Sequence, residues 1–276
     1  MPTRRIAIAT FVCLAAVGGL LAVAWPGGTA RGRAAGPVKL FVHAGAGIQP
    51  PLDELGTRFT QLTGIQVEYS YKGSGCLLPD ICVSRKGDLY IPGELFYMDQ
   101  AVERGIISEF RPVAQMSTVL IAQASNPKRI KSVKDLARPG MRVGLGDAKA
   151  IAVGRAARSV LEKARVRQAV EKNTVMSCMN VVELGNAVKL GHLDAAIVWD
   201  GTAALYGRQI TTIPIPSAYR VTTTIPCGVL KFSKQAAAAR RFMDFLASKE
   251  AEPIFRKHGY MIPRDKARTR PRGGKP

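Results

Sequence analysis

Compact apolar runs alternate with segments whose apolar side chains recur three and four residues apart, and this alternation occurs twice along the chain. Residues 37–42 (PVKLFV) form a run rich in Val and Phe, the pattern of a buried strand. Past Gly45 and Gly47, the side chains Leu52, Leu55, Phe59 and Leu62 fall at helical spacing over 50–62, and Gly64 stands where a helix C-terminus takes a glycine. Ile65, Val67 and Tyr69 alternate with polar neighbours as a second strand. Gly73-Ser74-Gly75 then opens a short helix marked by Leu77, Leu78 and Ile81. Residues 87–93 (GDLYIPG) run as an apolar strand into a Pro-Gly turn, ahead of a helix over 95–104. This β-α-β-α-β-α order predicts an α/β fold: a parallel sheet with right-handed crossovers, whose ligands lie at the carboxyl ends of the strands.

A second unit of the same kind follows. Residues 117–124 (STVLIAQA) read as a strand after Pro112, and 132–136 as a short helix. A strand over 141–145 (MRVGL), a turn at Gly146-Asp147-Ala148 and a helix over 151–164 come next. Residues 175–176 are weakly strand-like, Asn180 caps a helix over 181–190, and 195–199 (AAIVW) form a buried strand. Strands interrupted by proline over 210–216 and 222–231 precede helices over 236–247 and 250–258. The repeat divides the body into one lobe of residues 38–118 with 222–263 and a second of 119–221. Strands near 117–122 and 222–230 would serve as the hinge between them.

The ends change this picture. Arg4 and Arg5 precede an apolar stretch over 6–25, the n-region and h-region of an export signal, and Ala22-Val23-Ala24 offers an A-x-A site for cleavage after Ala24. The stretch is also about long enough to span a bilayer, so an uncleaved N-terminal anchor stays open beside a cleaved signal peptide. Residues 25–37 are a linker rich in Gly, Ala and Arg. Residues 264–276 (RDKARTRPRGGKP) hold no apolar side chain larger than Ala and are expected to be a disordered basic tail. With 40 Lys and Arg against 20 Asp and Glu, the formal net charge is +20, which favours anionic neighbours of any kind. Export argues against nucleic acid as one of them.

Catalytic chemistry has no constellation here. The histidines, His43, His192 and His258, lack metal-ligand spacing to one another or to Cys and carboxylates. There is no G-x-S-x-G elbow and no phosphate-binding P-loop, and Gly45-Ala46-Gly47 lacks the third glycine of a dinucleotide fingerprint. Asp88, Asp147, Asp194 and Asp200 stand near strand ends, where paired acids could move protons but where aspartate more often forms caps and turns. Cys76, Cys82, Cys178 and Cys227 show no metal-binding spacing, and a core of this size needs one disulfide bridge or none. No cofactor is called for.

Anion binding, by contrast, has a physical basis. A helix that begins on Gly and Ser presents free backbone N–H groups, a hydroxyl and the positive end of its dipole. Two lobes with such helix starts at their strand ends would line a cleft able to hold an ionised oxyanion without a lysine. From residue 38 to about 263 the chain resembles the periplasmic molybdate/tungstate-binding proteins of ABC transporters, within the type II periplasmic-binding-protein fold. The segments that carry the likeness are 41–45, 73–81, 87–101 (GDLYIPGELFYMDQA), 143–154 and 191–200 (GHLDAAIVWD). The resemblance places the first ligand position on Gly45, which keeps an N–H but lacks the serine hydroxyl of the family. It places the second on Ser74, two backbone amides on Val153 and Val181, and the tyrosine that closes the pocket on Trp199. On other grounds Ser74 can be read as a helix cap, Val153 and Val181 as core, and Trp199 as a buried anchor.

The function implied is an extracytoplasmic solute-binding protein, monomeric and not an enzyme, that captures molybdate or tungstate and delivers it to the permease subunits of an ABC transporter. Sulfate or phosphate as the ligand stays open, as does an envelope-anchored sensor or interaction protein of the same fold.

Overall fold

A computed structural model describes residues 38–265. The expected signal or anchor over 1–24, the linker over 25–37 and all but the first two residues of the basic tail over 264–276 lie outside the described residues. Among the described residues no helix is long and apolar enough to cross a membrane.

The first half follows the predicted rhythm. Strand β1 (Lys39–Gly45) pairs in parallel with β2 (Gln66–Lys72) on one side and with β3 (Leu89–Ile91) on the other. Helices α1 (Gln49–Thr63), α2 (Ser74–Ser84) and α3 (Leu95–Glu103) make the connections. Helix α1 buries Leu52, Leu55 and Phe59, as their spacing requires, and ends on Gly64 in the left-handed conformation at φ 72°. Leu62, assigned to the same apolar face, is instead 48% exposed.

Strand β4 (Ile107–Gln123) is longer than the run 117–124 suggested. It passes straight through Pro112, which stands opposite Pro226 of β9 (Thr222–Leu230). Neither proline has an N–H to give the ladder, so pairing them concentrates the missing bonds at one place, where the register also slips. Up to Ser117, β4 pairs with β9; from Thr118 onward it pairs with β7 (Ala195–Trp199) and β8 (Ile210–Pro214). Strands β5 (Val143–Gly146) and β6 (Thr174–Cys178) complete the second half. The strand order is β2-β1-β3-β9-β4-β7-β5-β6, with β8 also on β4.

The second half carries α4 (Ala152–Lys163), α5 (Arg167–Lys172), α6 (Val181–Lys189) and α7 (Asp200–Ala204). The chain then returns through β9 to α8 (Ala236–Leu246) and α9 (Glu252–Lys257), and Phe242 and Phe245 of α8 pack on Phe59 of α1 at 4.9 and 5.4 Å. Where the chain crosses between halves, side chains reinforce the backbone. Thr118 N–H donates to the Val221 carbonyl at 2.9 Å, Val221 N–H donates to Thr118 Oγ1 at 3.0 Å, and the hydroxyls of Ser117 and Thr222 lie 2.6 Å apart. Asp200 adds a bond from the second half, accepting Ser117 N–H at 3.0 Å. Burial holds its carboxyl up at about 6. The cysteines at 76, 82, 178 and 227 are all unbridged.

Candidate functional site

The carboxyl ends of β1 and β7 and the starts of α2, α4 and α6 surround a small cavity of about 30 Å³. That is room for a few waters or one compact ion. Gly45, Ser74, Val153, Val181 and Trp199 all line it, so the five residues singled out from the sequence come together from separate segments of chain.

Each contributes differently. Gly45 ends β1 and begins a single 3-10 turn (Ala46–Ile48) that leads into α1. A Cβ there would lie 3.4 Å from both Ser74 Oγ and Gly93 N, an ordinary contact, so space does not forbid a side chain at this position. Ser74 is the first residue of α2 and only 3% exposed. Its hydroxyl does not cap the helix; Oγ accepts Gly93 N–H at 2.9 Å, while its carbonyl accepts the Tyr90 hydroxyl at 3.0 Å. The hydroxyl oxygen is thereby fixed, and its proton has no acceptor among the described residues.

In the second half the valine side chains are buried, and both residues line the cavity at the first turn of their helices. Ile151 N–H goes to the Asp147 carbonyl and Gly154 N–H to the Ile151 carbonyl, which leaves the N–H groups of Ala152 and Val153 without a described acceptor at the head of α4. At the head of α6 the Asn180 side chain accepts Val182 N–H at 3.0 Å and the Asn180 carbonyl accepts Glu183 N–H at 3.2 Å. The cap thus serves its neighbours and leaves Val181 N–H over. Trp199 is 2% exposed, at the end of β7 beside Gly47, and its indole N–H has no acceptor among the described residues.

The cavity therefore gathers donors. Three helix N-termini point positive ends at it, and no carboxylate lines it. Lys72 is on its wall, but its ammonium pairs with Asp80 at 2.6 Å in solvent. An anion held here would be neutralised by dipoles and hydrogen bonds.

Gly73 and Gly75 prove to have a reason other than turn flexibility. Gly73 adopts φ −61°, open to any residue. Both glycines lie where the second half comes closest: a Cβ on Gly73 would stand 2.8 Å from the carbonyl oxygens of Ala150 and Met179, and one on Gly75 would overlap the Lys149 carbonyl. Gly75 N–H donates to the Ala150 carbonyl at 2.9 Å, a backbone bond between the halves. The cleft is closed along this seam.

Two contributors escaped the sequence reading. Gly93, which holds the Ser74 hydroxyl, was visible only as part of a Pro-Gly turn. Tyr260 was invisible, because its hydroxyl donates to the Gly47 carbonyl across more than two hundred residues of chain and nothing local marks it. The strand-end aspartates, meanwhile, bind backbone: Asp147 does so within its own turn, as expected, whereas Asp88, Asp194 and Asp200 reach N–H groups distant in sequence. Asp88 accepts Phe41 N–H, Asp147 accepts the N–H groups of Lys149 and Ala150, Asp194 accepts Arg142 N–H, and Asp200 those of Ser117 and Gly201. Among the described residues no group of His, Cys, Asp and Glu is placed to hold a metal ion.

Comparison with known proteins agrees with this geometry. The family described as bacterial extracellular solute-binding protein matches residues 40–261. The molybdate-binding protein ModA of Mycobacterium tuberculosis is 26% identical over 240 residues, 86% of this chain and 90% of that one. Among solved structures, the periplasmic molybdate-binding protein of Azotobacter vinelandii superposes with a TM-score of 0.74 at 18% identity, over 82% of this chain and all of that one. The sulfate-binding protein SubI of Mycobacterium tuberculosis does so with a TM-score of 0.70, also at 18% identity, over 81% of this chain and 86% of that one. These neighbours share the type II periplasmic-binding-protein fold, and they are binding proteins rather than enzymes. Fold, cleft and sequence match agree that this chain belongs to the bacterial extracellular solute-binding protein family.

Proposed function

We propose that the protein captures a tetrahedral oxyanion, molybdate or tungstate, on the extracytoplasmic side of the membrane and hands it, as a monomer, to the permease subunits of an ABC transporter. One observation carries the reading: the unpartnered amides of Val153 and Val181 and the hydroxyl of Ser74 belong to residues lining one small cavity that no carboxylate lines. A site made of donors favours a fully ionised anion. Phosphate at neutral pH keeps a proton that would need an acceptor, and a mismatched buried hydrogen bond is costly. Between sulfate and the larger molybdate, selection is by size. Residues 38–118 with 222–263 would move as one lobe and 119–221 as the other, about the crossing at 117–118 and 221–222, after export under the N-terminal segment as signal or anchor.

Calorimetric titration with molybdate, tungstate, sulfate and phosphate at matched ionic strength tests the reading. Tight binding of the first two is expected; tight binding of sulfate alone would change the ligand, and heat from none of them would refute oxyanion capture. Ser74→Ala is expected to weaken molybdate about 10- to 100-fold, the value of one hydrogen bond to a charged group. An unchanged Kd would remove Ser74 from the site. Gly45→Ser adds a hydroxyl on a Cβ that the backbone and neighbours admit, and is expected to tighten molybdate binding about tenfold. Weaker binding by this variant would show that the Gly45 side of the cavity does not face the anion.

A further inference from the structure

Outside the seam between Gly75 and Ala150 lies a second hollow of about 290 Å³, walled by Phe96, Tyr97 and Arg104 from the first half and by Lys149 and Arg155 from the second. Arg155, in the first turn of α4, reaches across it. Its Nε lies 3.0 Å from Glu94 Oε1, and its guanidinium lies 3.4 Å from the centre of the Phe96 ring. Glu94 stands at the N-cap position of α3, yet its side chain caps nothing there. The carboxylate, 12% exposed, serves the opposite half of the molecule instead of its own helix.

We propose that Glu94, Phe96 and Arg155 form a clasp that holds the cleft shut, with Arg155 as a positioning residue that sets the head of α4 over the anion. The clasp stands on its own contacts, while its effect on the ligand rests on the oxyanion reading above. Arg155 comes two residues after Val153, so whatever fixes its guanidinium also fixes the free amides of Ala152 and Val153. A flat guanidinium can pair with a carboxylate and stack on a ring at once, which an ammonium cannot match. Removing it would leave the Glu94 carboxyl buried without its partner whenever the cleft closes.

Protons bear on the clasp as well. Burial pushes the Glu94 carboxyl up to about 7, with Arg155 working in the opposite direction. The groups around it are Arg155 from α4, Tyr97 from its own helix and Tyr90 from β3, with Arg104 and Lys149 in the same hollow. In an opened cleft the carboxyl meets water and returns to the ordinary carboxylate range, so closing takes up a proton. The contribution is complete below that range and is lost as pH rises through about 7.

Hydrogen exchange at the Gly75 amide reads closure directly, since its acceptor is on the other half. In the full chain, with and without molybdate, Arg155→Ala is expected to speed Gly75 exchange at least about tenfold while amides of β1 keep their protection. Molybdate release should quicken by a similar factor, about tenfold, with association nearly unchanged. Arg155→Lys is expected to recover only part of both effects. Glu94→Gln is expected to flatten the wild-type loss of Gly75 protection between about pH 6 and 8, once intrinsic exchange rates are removed. Wild-type protection in Arg155→Ala, or a Gly75 amide unprotected in the wild type, would overturn the clasp. Failure of the wild type to bind any oxyanion would sink the ligand reading alone, because the exchange result is read without the anion.

Discussion

Gly75→Ala is expected to lower oxyanion affinity about 10- to 100-fold while costing the unliganded protein only the smaller free energy with which its cleft closes. The new Cβ would run into the Lys149 carbonyl and stand 2.9 Å from that of Ala150, and both obstacles are backbone. Neither can swing aside as a side-chain tip does, so the overlap falls at the upper end of the cost of overpacking, about 3 kcal/mol, and is relieved only by opening the seam. The helix itself has no objection: Gly75 does not have a positive φ, and alanine is the better helix former. The cost therefore falls on the closed form and not on the fold. Calorimetry with molybdate, paired with thermal unfolding of the unliganded variant, separates the two. Wild-type affinity, or a large fall in Tm, would show that the closeness of this seam is not what holds the ligand. Gly64 is the control. It adopts φ 72°, and a Cβ added there would meet nothing within 4 Å, so Gly64→Ala should cost about 1 kcal/mol of stability through backbone strain and leave affinity alone.

Those two glycines show what the sequence could and could not disclose. Gly64 was legible because its reason is local: an apolar periodicity stops and a left-handed residue is needed. Gly73 and Gly75 stood out as a place where something happens, but their reason lies some 75 residues on, in the carbonyls of 149–150, and no local pattern encodes a close approach. The same division runs through the fold. Strands such as β1 and β7 announced themselves because they are buried along most of their length, whereas β4 was cut short by treating Pro112 as a boundary, when its partner Pro226 makes it harmless. Helices α5 and α7 are too short to show a period and went unseen. Of the site, the helix heads were readable from Gly, Ser and Asn at fixed places. The Glu94–Arg155 contact was not, since each charge alone looks like part of a solvated face.

Trp199 offers the second large effect, and two substitutions divide its roles. The side chain is 2% exposed and belongs to the core cluster around the cavity. It stands opposite Thr118, where β4 passes between halves. Trp199→Ala removes the whole indole from a buried place, and is expected to cost about 3–5 kcal/mol of stability, read as a fall in the denaturant midpoint at unchanged m. Any loss of binding in that variant would say little about contact with the ligand. Trp199→Phe keeps most of the packing and gives up the N–H. If the indole donates to the anion, this variant should lose about tenfold in affinity with a shift of only about 1 kcal/mol in stability. Equal affinity for molybdate in Trp199→Phe and wild type would reduce Trp199 to a packing role, and the donors would then be Ser74, Val153 and Val181. In that case Trp199→Tyr, which places a hydroxyl on the same wall, should leave the affinity unmoved as well; a tenfold gain would mean that the wall faces the anion but the indole is turned away from it.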